Sequence, residues 1–469
     1  MVEELGRYNY GYYQLFSKVF AHYGLDTLLQ RISKKHQLEI DLINAVMLML
    51  LERLHAPCSK LQNFYHQDEY LGIESLPLHH LYRSLDYLAK YQQQVQQYIY
   101  QPSRNLFNNA LDVVFYDVTT FYFDSEVEQE GALRQKGFSK DGKIGKTQIL
   151  FGLLIDKHKQ PIGYRIYKGN TFEGHTFEKA ILQLKQQYHI QNIVLVADRG
   201  MLNRNNIQIT EAHQFEYIIG EKLKTLPQAI QQQLIQPDNF QHIWTYHRNG
   251  QAIHIKYHTI EHEGRKIICT YSEKRAKKDK QDREERIEKA NQLLRHPQQL
   301  KRKAHHYYLK AENNTTYTLD EEKIKQAAKY DGFLAIATNA KDLSAEAVLD
   351  NYRHLYQIEH SFRTFKTHLE TRPMFHWTDK RIEGHICLCY IAYSLLTYVQ
   401  NKLLKSNHKL SENDIRKSLD LMQVSLIKNN GDNFYLRSAN KENIDLITNR
   451  MGLKKLPNII PQAEIKSYL

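Results

Sequence analysis

Cysteine is scarce in this chain: Cys58, Cys269, Cys387 and Cys389 are the four among 469 residues. They show neither paired disulfide spacing nor a CxxC metal pattern. That excludes a disulfide scaffold and a thiolate zinc site, and fits a reducing compartment. Cys387 and Cys389 read as core residues. Also missing is any apolar run of the roughly 20 residues needed to cross a bilayer. The longest apolar stretches, 45–51 and 386–399, read as buried helices. The opening MVEELGRYNYGYY lacks the basic start and apolar block of a signal peptide, so a cytoplasmic protein with no membrane partner is expected. No internal repeat or low-complexity tract stands out.

What is present is the composition of a globular protein, 42% hydrophobic and 25% charged, with enough length for two to four domains. Lysine plus arginine outnumber aspartate plus glutamate by 64 to 52, a net charge of +12. That excess favours an anionic partner and puts nucleic acid first.

Residues 1–110 are poor in proline and repeat apolar residues at three- and four-residue spacing, as at Leu42, Val46, Met49, Leu50 and Leu54. They read as a helical domain. DNA binding suits such a domain, but there is no sharp helix-turn-helix pattern, and helix packing explains the periodicity equally well. The texture changes at LDVVFYDVTTFYFDSE, where β-branched and aromatic residues crowd into a buried strand around Asp117. QILFGLLID and PIGYRIYKG, joined by a turn at 157–160, predict an antiparallel meander. TFEKAILQLKQQY then predicts a helix with Phe177, Ile181 and Leu184 on one face, and NIVLVADRG a short buried strand ending at Asp198.

Three meandering strands, a helix and a fourth strand are the order of a ribonuclease H-like α/β core, assigned to 111–220 and resuming at 331–400. Between them, 221–330 reads as a β-rich insertion: FQHIWTYHR, AIHIKYHTI and KIICTYSE, then a charged run from Glu273 whose mixed signs predict a solvated helix. SAEAVLDNYRHLYQIEHSFRTFKTHLE predicts one long helix, with Glu359 among apolar neighbours that argue against its exposure. A helical region at 401–469 closes the chain.

Asp117 and Asp198 belong to strands that neighbour each other in such a core. A carboxylate in a buried strand is costly unless a cation or hydrogen bonds compensate it. Taken singly, each has a plainer reading: strand-end or turn residue for the aspartates, solvent-facing residue for the glutamate. Together, three carboxylates without a histidine or cysteine at metal spacing suit Mg²⁺, with Mn²⁺ as a substitute. Two such ions would activate a nucleophile and stabilise the leaving oxygen at phosphorus. Arg363 and Lys366 would pair with backbone phosphates.

At these residues the chain resembles the DDE transposases of bacterial insertion sequences. Their third acid lies in a signature of tyrosine, two residues, arginine, three residues, glutamate, six residues and lysine. YRHLYQIEHSFRTFK supplies Tyr352, Glu359 and Lys366 at that spacing, with Leu355 where the arginine would stand and Arg353 or Arg363 as replacements for it. YDVTTFYF resembles the first-aspartate motif and VADRGMLNRNN the second. The resemblance implies Asp117, Asp198 and Glu359 as catalytic metal ligands. It implies DNA contacts from Tyr352, Arg353, Arg363 and Lys366, and a homodimer working at the bacterial nucleoid on terminal inverted repeats and target DNA. It also implies that Trp244 or a neighbouring tyrosine holds a flipped base, a role that core packing competes for. The alternatives are a ribonuclease H-like nuclease that never joins strands, and a catalytically silent DNA-binding derivative.

Overall fold

Asp41 and Ser59 begin helices by accepting hydrogen bonds from the Asn44 and Gln62 backbone N–H groups. The helix that follows Asp41, Leu42–His55, is buried on almost every side, as an all-round apolar sequence requires. The computed structural model describes residues 2–103, 112–129, 131–139, 142–143, 145–188, 193–198, 204–248, 250–295, 307–312, 317–439 and 442–469. It has two compact units: Met1–Gln191 with Tyr356–Leu469, and Asn192–Leu355.

In the first unit the helix Asp379–Leu404 packs against Leu78–Lys90, Leu42–His55 and Gln92–Tyr100. It is long and apolar enough to cross a membrane, yet 89% of its apolar window is buried in the fold. Cys387 and Cys389 are fully buried there, as expected. Gly384 sets the closest approach: a Cβ would lie 2.1 Å from the Leu85 carbonyl oxygen, a backbone atom that cannot step aside. Gly384→Ala should lower the stability of this unit by about 1–3 kcal/mol through overpacking. Urea denaturation will show it as an earlier midpoint.

Both termini depart from the helical reading. Val2–Asn9 is a strand, paired antiparallel with Gln423–Asn429, which continues through Asp432–Arg437 to Ile459–Pro461. The N-terminal strand lies at the sheet edge with most side chains exposed, so it carries no apolar alternation to announce it. Its partner lies at the other end of the chain: Asn9 Nδ2 donates to the Leu419 carbonyl across 410 positions.

The predicted meander is present in this unit. Asp112–Tyr122 pairs antiparallel with Thr147–Asp156, which pairs with Pro161–Lys168. The turn forms because Asp156 Oδ1 accepts from both the His158 and Gln160 N–H groups at 2.8 Å, while Lys159 takes a positive φ of 64°. The helix Thr176–Gln187 follows, with Phe177 and Ile181 buried; the side chain of Leu184 lies outside the described residues.

In the second unit Ile193–Ala197 runs parallel to Glu216–Glu221, with the helix Arg204–Ala212 between them in sequence. Phe333–Thr338, Arg265–Tyr271, Gln251–His262 and His242–Arg248 extend the sheet antiparallel in that order. Leu234, Ile267, Cys269 and Ala337 lie in its core cluster. The charged run forms the solvated helix Glu273–Arg295, of which only Ala290 and Leu293 are buried. Residues 296–303, the tail of that run, lie outside the described residues.

The single long helix expected from Ser344 onward is three pieces. Ser344 caps Ala345–Arg353; there the turn tightens, as His354 N–H reaches Asn351 O and Leu355 N–H reaches Tyr352 O. A second helix covers Tyr356–Arg363, and Thr364–His368 then widens into a π turn closed by Leu369 N–H on Thr364 O at 2.9 Å. Apolar periodicity registered the helical segments but not these changes of pitch.

Candidate active site

Strand alternation gives the Asp117 strand two faces with different neighbours. Tyr116, on one, donates its hydroxyl to Thr176 Oγ1 at 2.9 Å and meets Phe177 edge to face, so the Thr176 helix covers it. Phe115, Asp117, Thr119 and Phe121 share the other face. There Phe121 stacks on Phe151 at 5.1 Å between ring centroids, and Phe151 lies 5.1 Å from Phe365 and 6.4 Å from Phe362. The Glu359 helix and its π turn therefore cover the face that carries Asp117, and that helix packs directly on the strand.

Asp117 is half-buried and accepts the Val118 N–H at 2.7 Å, which fixes its carboxylate against the backbone. On the Tyr356–Arg363 helix Gln357, Ile358, Ser361 and Phe362 are buried, and the Tyr393 hydroxyl donates to Ser361 Oγ at 2.7 Å. These contacts set the rotation of the helix. Glu359 and Arg363 are exposed as a result, and Lys366, on the π turn, is half-buried. The expected burial of Glu359 is thus corrected: its neighbours Ile358 and Phe362 are buried and it is exposed. Glu359, Phe362 and Lys366, three and seven residues apart, have different surroundings: exposed, buried and half-buried.

Asp198, Tyr352 and Arg353 belong to the second unit. Asp198 follows directly on Ile193–Ala197 and is exposed, at the strand end where sheets gather ligands. Arg199 and Gly200 lie outside the described residues. Tyr352 and Arg353 are half-buried at the end of their helix, and the Arg353 guanidinium sits 4.5 Å over the Tyr246 ring. Trp244 lies 4.7 Å from the same ring, is 8% exposed, and donates its indole N–H to Asp350 at 3.1 Å. Packing thus accounts for Trp244, the bland alternative to a base-holding role. Leu355, at the arginine position of the signature, is half-buried at the helix break.

The first unit thus carries Asp117, Glu359, Arg363 and Lys366, and the second Asp198, Tyr352 and Arg353. The donors at the three acidic positions are carboxylate oxygens, a chemistry that suits a hard divalent cation.

Sequence reasoning did not find another polar group, around Glu52. Among the described residues, the ligand-type atoms lying within 4.8 Å of one another are those of Glu52, Cys58 and His66. Hydrogen bonds account for them. Glu52 Oε1 accepts the Tyr70 hydroxyl at 2.7 Å; Oε2 accepts the Cys58 thiol at 3.0 Å and Asn63 Nδ2 at 3.2 Å, and lies 3.0 Å from His66 Nδ1. Burial, then the bond to Glu52, pushes the Cys58 thiol up to about 12, so it stays a neutral donor. Only Glu52, directly after the apolar run 45–51, hinted at this network.

The sequence matches the Transposase DDE domain family over residues 109–395, more than half of the chain. No curated protein matches it significantly. Among solved structures it is similar to a piggyBac transposase synaptic complex with hairpin DNA, at 9% identity and TM-score 0.42, over 81% of this chain and 70% of that one. A Mos1 transposase paired-end complex with left transposon end is a more distant likeness, at 15% identity and TM-score 0.17, over 41% of this chain and 57% of that one. Structural likenesses at these TM-scores carry no argument about function.

Proposed function

Because the chain belongs to the transposase DDE-domain family, whose members are metal-dependent enzymes of phosphodiester hydrolysis and transesterification, we propose that it is an insertion-sequence transposase. It cuts double-stranded DNA at transposon terminal repeats and joins the freed 3′ ends to target DNA. It works as a homodimer at the nucleoid of a bacterial cell. The observation that carries this reading is the half-buried Asp117 on a sheet face covered by the Glu359 helix, within the matched region.

Asp117, Asp198 and Glu359 are the residues that would hold the metal. Two Mg²⁺ ions, or Mn²⁺ in their place, would supply a deprotonated nucleophile and charge neutralisation at the leaving oxygen. Asp117 is fixed by its backbone hydrogen bond and its strand, so its carboxylate is oriented before substrate arrives. Exposed Arg363 and half-buried Lys366 pair with backbone phosphates, which adds affinity without sequence preference. Tyr352 and Arg353 contribute further phosphate contacts, Arg353 standing in for the signature arginine that Leu355 replaces.

The test is strand cleavage and joining on a labelled DNA fragment carrying the element's own ends, with Mg²⁺, Mn²⁺ or EDTA. Metal-dependent 3′-hydroxyl ends that join a second DNA are the expected result. Cleavage without joining would replace the reading with a hydrolytic nuclease, and binding without either with a silent derivative.

A further inference from the structure

A second feature of the first unit is a cavity of about 280 Å³, bounded by the end of the Leu42–His55 helix, residues 57–60 and the segment 370–376. Its charged lining is lopsided. Arg53, Lys60 and Arg372 border it together with the neutral imidazoles of His376 and His385, and the exposed Glu370 is its one carboxylate. Arg53 and Lys60 are only 6% and 4% exposed. Arg53 spends Nη1 on the Leu369 carbonyl at 3.1 Å and Nη2 on the Cys58 carbonyl at 3.3 Å; its buried Nε has no partner. Lys60 Nζ donates to Asn63 Oδ1 at 3.3 Å, and neither cation has a carboxylate within ion-pair distance among the described residues. The neighbouring Glu52 is already occupied by Cys58, Asn63 and Tyr70.

A guanidinium held out of water without a counter-charge is costly and makes protonation of the neighbouring Lys60 costly too; an anion would relieve both, and that cost points to one. The field is felt locally: burial, then Arg53, lowers Lys60 to about 7, and burial, then Lys60 and Arg53, lowers His376 to about 3. A terminal phosphate monoester carries close to two negative charges near neutral pH, which matches the pair. Beside the cavity are two rings a soluble fold would normally bury: Phe375, 74% exposed, and Trp377, 59% exposed. The buried Arg134 guanidinium stacks 4.2 Å from the Trp377 ring centroid, bracing the ring while much of it remains in solvent. Exposed aromatics beside cations are what stack unpaired bases.

We propose that this cavity holds the 5′-phosphate end of a cleaved DNA strand, with Arg53 and Lys60 on the phosphate and Phe375 and Trp377 stacking the adjoining bases. This rests on the chain acting on DNA, since cleavage that leaves a 3′-hydroxyl leaves a 5′-phosphate on the other side of the break.

Binding of a short fluorescent single-stranded oligonucleotide, 5′-phosphorylated or 5′-hydroxyl, is measured by anisotropy with the full-length protein. The phosphorylated strand should bind at least tenfold more tightly. Lys60→Met should bring the two within twofold, and Phe375→Ala, at an exposed position, should weaken both while keeping the preference. Because Trp377 and Trp244 are the two tryptophans, Trp244→Phe leaves Trp377 as the reporter, and its emission should be quenched on binding. Equal affinity for the two strands, a preference that survives Lys60→Met, or inorganic phosphate binding as tightly as the strand would each overturn the proposal. Measuring strand cleavage on the same wild-type protein separates the two readings. A 5′-phosphate preference without cleavage activity in wild type would sink only the transposase, and cleavage without the preference only this site.

Discussion

Asp117→Asn and Glu359→Gln should each reduce strand cleavage by about 10³-fold or more, equivalent to about 4 kcal/mol of barrier at 1.36 kcal/mol per decade. DNA binding at fixed salt should stay within about twofold, because affinity comes from phosphate neutralisation and not from the acids. Both substitutions keep side-chain volume and remove one negative charge. Asp117 is half-buried and accepts a backbone hydrogen bond that the amide oxygen of Asn can still accept; Glu359 is exposed. Neither variant should therefore unfold. Single-turnover cleavage of labelled ends and a gel-shift titration settle the matter, and retained cleavage in either variant would remove that residue from the metal site.

The largest expected effect on stability lies elsewhere. Glu52→Ala should destabilise the first unit by about 3–5 kcal/mol, because it strands buried donors as well as opening a void. Tyr70, Cys58 and Asn63 all donate to this carboxylate, which is 1% exposed. Tyr70 in turn lies 2.6 Å from His55 Nδ1, so the loss propagates to the end of the same helix. Glu52→Gln, which keeps two of the acceptor sites, should cost roughly 1–2 kcal/mol. Thermal and urea unfolding of the variants provide the comparison; similar midpoints for Ala and wild type would mean that water replaces the carboxylate and the network carries little stability.

Much of the fold was legible where residue choice acts over short distances. β-branched and aromatic crowding announced the strand around Asp117, and the Asp156 turn fixed the pairing of the next two strands. Mixed charge announced the solvated helix from Glu273, and apolar density announced the buried helix around Cys387 and Cys389. Glu359 was misjudged because helical neighbours in sequence are not neighbours on a face. Ile358 and Phe362 turn inward and carry Glu359 outward. The edge strand Val2–Asn9 was missed because its side chains are mostly exposed and its partner begins at Gln423.

Residue order alone was enough for the acid-bearing motifs and the strand that carries Asp117, since local propensity and alternation need no distant partner. The pitch change after Arg363, the exposure of Glu359 and the pairing of the two terminal segments came from the folded chain. It alone brought Arg53, whose guanidinium clamps a carbonyl 316 positions away, to one cavity with Lys60 and His376. Their common cause is packing between segments far apart in the chain: which face is buried and which charges meet depends on the partner surface, and one segment's composition does not contain it.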